Sequence, residues 1–123
     1  MATTQLTTAP LGTTGLEITR VGLGAWAIGG PWQFGWGPQD DKDSIAAIRE
    51  AVEHGINWID TAGVYGLGHS EEVVGRAVRE MPEADRPFVF TKCGMVWDDE
   101  GNVRRAGNRI KQDCEDSLRR LGV

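Results

Sequence analysis

Short apolar runs alternate along the chain with stretches in which apolar residues recur at helical spacing. The apolar runs predict buried strands at residues 21–26, 56–60 and 87–91. The helically spaced stretches predict helices at residues 41–54, from 70 to before Pro82, and at 107–121. Because apolar strands that alternate with helices are typical of parallel sheets covered by helices, the pattern predicts an α/β protein with three strand–helix units.

Polar residues and glycines mark the ends of the predicted helices. Asp41 or Asp43 is expected to cap the first helix and Ser70 the second, while Gly55 is placed to end the first in the left-handed conformation. The second helix is expected to bury Val73, Val74, Ala77 and Val78. The third is expected to bury Ile110, Cys114, Leu118 and Leu121 and to end at Gly122.

The connections are predicted from glycine, proline and polar content. Residues 1–9 are expected to form a disordered tail, and residues 11–18 a hairpin with Thr14-Gly15 at its turn. Residues 27–39 are expected to form a long loop that carries two tryptophans, a length at which loops are commonly functional. A glycine- and acid-rich loop is expected between the third strand and the last helix.

Two architectures fit three strand–helix units, an open doubly wound sheet and a (β/α)8 TIM barrel. A dinucleotide-binding doubly wound sheet needs three spaced glycines after its first strand, and the chain offers Gly22 and Gly24 but Ala27 at the third position. The pattern therefore favours the barrel. A barrel needs roughly 250 residues, so residues 10–123 are expected to form the N-terminal portion of one barrel domain, truncated after the third strand–helix unit.

Charge and cysteine content narrow the classes of function. The net charge of -5 and pI of about 5.0 argue against binding to nucleic acid or to an anionic membrane surface. No apolar run approaches the roughly 20 residues that a membrane span needs. Cys93 and Cys114 are isolated, which predicts neither a disulfide framework nor a metal site. A cytoplasmic protein that acts on a small molecule is expected.

An acid, a phenol and an amine fall at the predicted carboxyl ends of two neighbouring strands. Asp60 ends the second strand, Tyr65 follows in the next loop, and Lys92 follows the third strand, so all three are expected at the same barrel rim. An ammonium beside a phenol favours the phenolate, and a carboxylate can hold that ammonium. Taken singly, Asp60 could cap a loop and Tyr65 could be a packing residue; together the three predict a proton donor for a carbonyl oxygen.

Three segments closely resemble the aldo-keto reductases: GLGAWAIGG, HGINWIDTAGVYGLGHSEEVVGRAV and FVFTKCG. The resemblance implies a (β/α)8 barrel whose N-terminal hairpin closes the bottom, and NADP(H)-dependent reduction of aldehydes and ketones to alcohols. It implies that Tyr65 is the proton donor, that Lys92 makes the phenol more acidic, and that Asp60 orients Lys92.

The resemblance also implies where a cofactor and a substrate would lie. Gly24, Ala25 and Trp26, with Asp60, are expected beside the nicotinamide ribose of NADPH. The carbonyl-binding pocket is expected to be lined by Trp26, Trp32 and Trp36. The family's fourth catalytic residue is a histidine at the end of strand four, a position that would follow Val123.

Neither histidine of the chain matches that fourth position. His54 closes the first helix, which places it at the bottom of the barrel, and His69 precedes the second helix without support from a strand. Two alternatives stay open beside the enzyme. One is a non-enzymatic, cofactor-binding regulatory subunit of the potassium-channel type, which shares the same segments. The other is an inactive truncated fragment.

Overall fold

The computed structural model describes residues 5–123 as a hairpin followed by three strand–helix units, with a second hairpin before the last helix. The strands are β1 Thr8–Pro10, β2 Glu17–Thr19, β3 Leu23–Gly24, β4 Trp58–Asp60, β5 Phe88–Phe90, β6 Met95–Trp97 and β7 Val103–Arg105. The helices are α1 Asp41–Glu53, α2 His69–Arg79 and α3 Ile110–Leu121, with short 3-10 helices at Ala27–Gly29 and Glu83–Asp85.

The strands β3, β4 and β5 form a parallel sheet in sequence order. The register places Gly24 beside Asp60, and Asp60 beside Phe90, so these residues form one row across the carboxyl end of the sheet. Because α1 connects β3 to β4 and α2 connects β4 to β5, the sheet is built from consecutive βαβ units. This is the order that the barrel prediction requires.

The core lies between this sheet and the helices, and α2 is at its centre. The predicted inner residues of α2 are all buried, namely Val73, Val74, Ala77 and Val78. They pack with Ile48 of α1, Ile59 of β4 and Leu121 of α3. A Cβ atom at Gly75 would lie 2.5 Å from the Leu121 carbonyl oxygen, so α2 and α3 approach as closely as they do because this position has no side chain.

Two of the predicted helix caps are wrong. Asp40, rather than Asp41 or Asp43, caps α1, since its carboxylate accepts hydrogen bonds from the amides of Lys42 at 2.8 Å and Asp43 at 3.3 Å. Asp40 alone of the three has the extended backbone that a cap requires, while the other two lie inside the first turn.

The predicted cap of α2 at Ser70 is the second that is wrong. The helix α2 begins one residue before Ser70, with Gly68 at its N-cap, and the Ser70 hydroxyl is buried in a contact described below. The predicted left-handed end of α1 at Gly55 is confirmed, with φ of 99°.

The predicted inward stripe of α3 is also wrong. Ile110, Cys114 and Leu118 are exposed, and of that stripe Leu121 is buried. The helix turns a polar side inward instead, because Asp113 accepts a hydrogen bond from the amide of Gly94 at 3.0 Å and Arg120 pairs with buried Glu71. These partners lie far away in sequence, so the apolar spacing within α3 did not indicate its inner side.

The N-terminal hairpin is confirmed. β1 and β2 pair antiparallel, and the amide of Leu11 donates to Leu16 O at 2.8 Å across the turn. The predicted disordered tail lies outside the described residues at positions 1–4, and it is wrong at positions 8 and 9, which pair within β1. Asn57, just before β4, holds the hairpin at the amino end of the sheet, since its Oδ1 accepts from the amide of Thr19 at 2.8 Å.

The predicted acid-rich loop before α3 contains a second hairpin of β6 and β7. Its turn is held by Asp98, whose Oδ1 accepts from the amides of Glu100 and Asn102, each at 2.9 Å. These hydrogen bonds hold the pKa of Asp98 below its ordinary value, the backbone bond from Asn102 first among them.

Among residues 5–123, no helix combines the length and the apolar character that a bilayer crossing demands.

Candidate active site

The structure brings together the acid, the phenol and the amine that the sequence placed at the strand ends. The Lys92 ammonium donates to both carboxylate oxygens of Asp60, at 3.0 and 2.9 Å. The same nitrogen lies 3.2 Å from the Tyr65 hydroxyl and 3.0 Å from Thr61 O. One ammonium therefore links the carboxylate to the phenol, which is the geometry that the prediction requires; their catalytic roles stay a prediction.

The turn that carries Tyr65 is fixed by backbone contacts. Its amide donates to Ala62 O at 3.2 Å, and its carbonyl accepts from the amide of Ser70 at 3.2 Å. The following residue, Gly66, has φ of 62°, and its backbone lies directly against Gly29 of the first 3-10 helix. A Cβ atom at Gly29 would lie 2.6 Å from the Gly66 nitrogen, so these two glycines allow the turn to pack on the loop after β3.

The charge of Lys92 is stabilised by its partners. Partial burial lowers the pKa of the Lys92 ammonium, but its hydrogen bonds to Asp60 and Tyr65, together with their charges, outweigh burial and raise that pKa above its ordinary value of 10.5. The ammonium is therefore charged at neutral pH. Since the Lys92 side chain is 51% exposed, solvent screens part of its effect on the phenol.

Three of the four residues expected beside a nicotinamide ribose, Gly24, Ala25 and Trp26, differ in their accessibility. Gly24 is exposed, with open space where a side chain would start, and Trp26 is 40% exposed. Ala25 is fully buried, its amide donating to Asp60 O at 2.9 Å and its carbonyl accepting from the Ser70 hydroxyl at 2.7 Å. Gly24 and Trp26 thus form an exposed surface beside Asp60, and the hydrogen bonds of buried Ala25, which lies between them in sequence, hold that surface in place.

The three tryptophans expected around a substrate lie at two places. The Trp32 ring is 6.3 Å from the Tyr65 ring, centroid to centroid. Trp36 is 70% exposed and leans edge-on against Trp26 at 5.5 Å. Trp32 therefore lies beside the phenol, and the Trp26–Trp36 pair extends the aromatic surface on the side of Gly24. Their part in substrate binding stays a prediction.

A polar cluster that the sequence pattern did not indicate lies beneath these residues. Ser70 and Glu71, at the start of α2, are both fully buried. Ser70 donates to Ala25 O and therefore accepts from the Thr61 hydroxyl at 3.0 Å. The sequence pattern predicts a helix cap at Ser70 and does not indicate that Glu71 is buried. Their appearance within the segment that resembles the aldo-keto reductases was the signal that could have identified them.

Glu71 is held on both of its carboxylate oxygens. Oε1 accepts from Arg120 Nε at 2.8 Å and lies 2.7 Å from Arg120 Nη2, and Oε2 accepts from the Thr91 hydroxyl at 2.9 Å. Thr91 directly precedes Lys92. The hydrogen bonds of buried Glu71 therefore reach the strand end from which the ammonium projects.

Both histidines have polar partners in α1. His69 Nε2 lies 2.8 Å from Asp41 Oδ1 of α1, and His54 Nδ1 lies 2.8 Å from Glu50 O at the end of the same helix. Within the described part of the chain, His, Cys, Asp and Glu side chains form no group of three or more that could hold a metal ion.

A tyrosine, a lysine and an aspartate at the carboxyl rim of consecutive parallel strands form the arrangement expected of the family that the sequence resembles. The model of the Aldo/keto reductase family matches residues 20–123, and the chain belongs to this family. The family prediction is thereby confirmed.

Two curated relatives are similar over most of this chain. Aldo-keto reductase YhdN of Bacillus subtilis is 46% identical over 109 residues, which cover 88% of this chain and 32% of that protein. The NADH-specific methylglyoxal reductase of Escherichia coli is 41% identical over 127 residues, covering 93% of this chain and 38% of that protein. The chain thus spans about a third of the length of these relatives.

Solved structures show the same fold. The glycerol dehydrogenase of Gluconobacter oxydans superposes with a TM-score of 0.81 at 46% identity, covering 94% of this chain and 36% of that one. An aldo-keto reductase of Klebsiella pneumoniae in complex with NADP and acetate gives a TM-score of 0.61 at 32% identity, covering 87% of this chain and 32% of that one. These likenesses confirm the predicted fold class, the three strand–helix units being part of a (β/α)8 barrel.

Proposed function

We propose that the protein carrying this chain is an NADP(H)-dependent oxidoreductase that reduces small aldehydes and ketones to alcohols. The observation that carries the proposal is the Lys92 ammonium, 3.2 Å from the Tyr65 hydroxyl and bound at the same time to Asp60. Membership of the family supports the proposal, as do relatives named methylglyoxal reductase and glycerol dehydrogenase.

Tyr65 is the proton donor in this proposal. As the carbonyl becomes an alcohol, its oxygen gains negative charge and takes the phenolic proton, which leaves a phenolate. That phenolate forms 3.2 Å from the Lys92 ammonium. The attraction is worth about 1 kcal/mol at the dielectric constant of water and about 5 kcal/mol at the effective value of about 20 found near protein surfaces. Lys92 therefore stabilises the product of proton transfer.

Asp60 positions the ammonium and does not itself exchange a proton with the substrate. Its two oxygens bind one Lys92 nitrogen, which limits where the nitrogen can lie relative to Tyr65. The Asp60 carbonyl oxygen also accepts a hydrogen bond from the amide of Ala25 at 2.9 Å, so the same residue joins the end of β4 to the loop after β3.

The surface beside this cluster fits a nicotinamide nucleotide. A carboxylate has about four lone-pair sites, so Asp60, which is partly exposed, can accept from a ribose hydroxyl as well as from Lys92. Gly24 leaves the backbone open to a ligand, and Trp26 offers an exposed indole to a planar ring. When bound, the nicotinamide would supply hydride to the carbonyl carbon.

We propose NADPH as the reductant and the cytoplasm as the compartment. The solved Klebsiella relative in complex with NADP supports the first, while the E. coli relative is named NADH-specific. The second is supported by Cys93 and Cys114, both exposed thiols that form no disulfide, as expected in a reducing compartment. The aromatic surface formed by Trp26, Trp32 and Trp36 would hold the carbonyl substrate beside the phenol.

The test compares cofactor binding with turnover in the protein that carries this chain. Loss of NADPH absorbance with a small aldehyde is measured beside the same assay with NADH, and the affinity for each cofactor is measured without substrate. We expect turnover with both the aldehyde and NADPH present, and a higher kcat/KM with NADPH than with NADH. Tight NADPH binding without any turnover would overturn the proposal in favour of the regulatory-subunit alternative.

A further inference from the structure

We propose that Glu71 is a positioning residue for the Lys92 ammonium and acts through its hydrogen bond to Thr91. The inference rests on the proposed function only in so far as Lys92 is assigned to catalysis. Its structural basis is the buried carboxylate, 2.9 Å from the Thr91 hydroxyl and paired on its other oxygen with Arg120. Neither the Glu71 nor the Thr91 side chain is hydrogen-bonded to the Tyr65 hydroxyl or to the Asp60 carboxylate.

A fully buried carboxylate requires close partners, because removing a charge from water is costly unless hydrogen bonds replace the lost hydration. Glu71 has no exposed surface, and the Arg120 side chain is 19% exposed. With Arg120 on Oε1 and Thr91 on Oε2, both oxygens have partners. Burial and the pair with Arg120 on Oε1 hold the carboxylate in place, so its Oε2 can in turn hold the Thr91 hydroxyl.

Thr91 and Lys92 point to opposite faces of the strand end. The Thr91 side chain reaches Glu71 in the helical layer, whereas Lys92 reaches Asp60 and Tyr65 at the rim. Successive residues of an extended segment alternate in this way. The carbonyl of Lys92 also accepts from the amide of Gly63 at 3.3 Å. The backbone that carries the ammonium is therefore held by the turn before Tyr65 on one side and by Glu71 on the other.

The neighbouring residue of α2 holds the other strand ends. Ser70 binds Ala25 O after β3 and the Thr61 hydroxyl after β4. Thr61 O in turn accepts from the Lys92 ammonium at 3.0 Å. Two consecutive residues at the start of one helix thus fix the end of β4 relative to the end of β5. Distances of 2.9 to 3.2 Å around the ammonium leave little room for displacement before hydrogen bonds are lost.

Thr91→Val tests the proposal, because it removes the hydroxyl with almost no change in shape. We expect kcat to fall about 10- to 100-fold, in line with the cost of misplacing a group by about 1 Å, while KM for the carbonyl changes less than about twofold. Thr91→Ser, which restores a hydroxyl, should recover most of kcat. Thr91→Ala, which adds no atoms, should reproduce the loss if valine disturbs folding.

A second readout does not depend on activity. In ¹³C NMR of the lysine side chains, the Lys92 signal is identified as the one that is lost in a Lys92→Arg variant. We expect Thr91→Val to lower the pKa of Lys92, since a displaced ammonium loses part of its contact with Asp60 and Tyr65. A purely structural role for the Thr91 hydroxyl would lower stability and leave this titration unchanged.

Glu71→Gln, which removes the buried charge, should lower kcat and the Lys92 pKa in the same direction as Thr91→Val. Glu72→Gln is its matched control, because Glu72 lies next to Glu71 on the same turn but its side chain is 54% exposed. We expect it to change neither kcat nor the Lys92 titration. The proposal is overturned if Thr91→Val leaves both at the wild-type values, whatever its melting temperature. If the wild-type protein reduces no carbonyl, the proposed function fails, and the lysine titration then decides the positioning role alone.

Discussion

Replacing Lys92 by methionine tests the electrostatic part of the account. Methionine keeps a long unbranched side chain and removes the positive charge that lies 3.2 Å from the Tyr65 hydroxyl. Asp60, which is 40% exposed, remains solvated without its partner. The substitution therefore removes a charge beside the phenol without leaving a buried charge unpaired.

The expected loss follows from the distance. A unit charge at 3.2 Å stabilises a phenolate by about 1 kcal/mol in water and about 5 kcal/mol at an effective dielectric constant of about 20. Because each 1.36 kcal/mol is a tenfold change in rate, these limits correspond to about tenfold and several thousandfold. The 51% exposure of the Lys92 side chain excludes the upper limit, and we expect kcat to fall about 100-fold.

The assay is the initial rate of NADPH-dependent aldehyde reduction at saturating cofactor. Lys42→Met, at an exposed position in the first turn of α1, is the control for loss of a lysine charge and should keep the wild-type rate. A Lys92→Met protein that folds, binds NADPH and keeps more than about half of the wild-type kcat would refute the electrostatic role, since even the weakest limit predicts a larger loss.

Three further predictions concern protonation and packing. Asp60→Asn should lower the pKa of Lys92, measured by NMR, because it removes a hydrogen bond and a charge that raise it. Since the pKa of Lys92 in the folded state lies above 10.5, Lys92 should stabilise the wild type below pH 10.5 and lose that contribution at higher pH. Denaturant unfolding should therefore show that the free energy of unfolding falls more steeply at alkaline pH in the wild type than in Lys92→Met. Equal decreases in the two proteins would contradict this prediction. Gly75→Ala should lower the free energy of unfolding by about 1–3 kcal/mol, because its Cβ atom would meet Leu121 O at 2.5 Å, whereas Gly107→Ala, with nothing within 4 Å, is the control that should not.

The strand order and the rim residues could be predicted because they depend on local pattern and on a general rule. Apolar runs identified β3, β4 and β5, and parallel strands place their carboxyl ends together. Asp60, Tyr65 and Lys92 follow those ends directly, so their proximity did not require knowledge of any long-range contact. The inner side of α2 followed in the same way from apolar spacing.

The missed features depend on contacts between distant residues or on backbone angles. Three acids stand near the start of α1, and only the backbone conformation of Asp40 makes it the cap. The strands β6 and β7 are three residues each and lack an alternating apolar pattern. The inner side of α3 is set by Arg120, whose partner Glu71 is 49 positions earlier in sequence. An ion pair at that separation leaves no periodic signal.

The initial rate of aldehyde reduction by Tyr65→Phe, with NADPH affinity measured on the same protein, tests the central claim most directly. Tyr65 is the one tyrosine of the chain, and phenylalanine removes its hydroxyl while keeping the ring beside Trp32. We predict that kcat falls by about 10²- to 10⁴-fold, the usual contribution of a positioned proton donor, with NADPH affinity unchanged within about twofold. Unchanged turnover in this variant would contradict the assignment of Tyr65 as the proton donor.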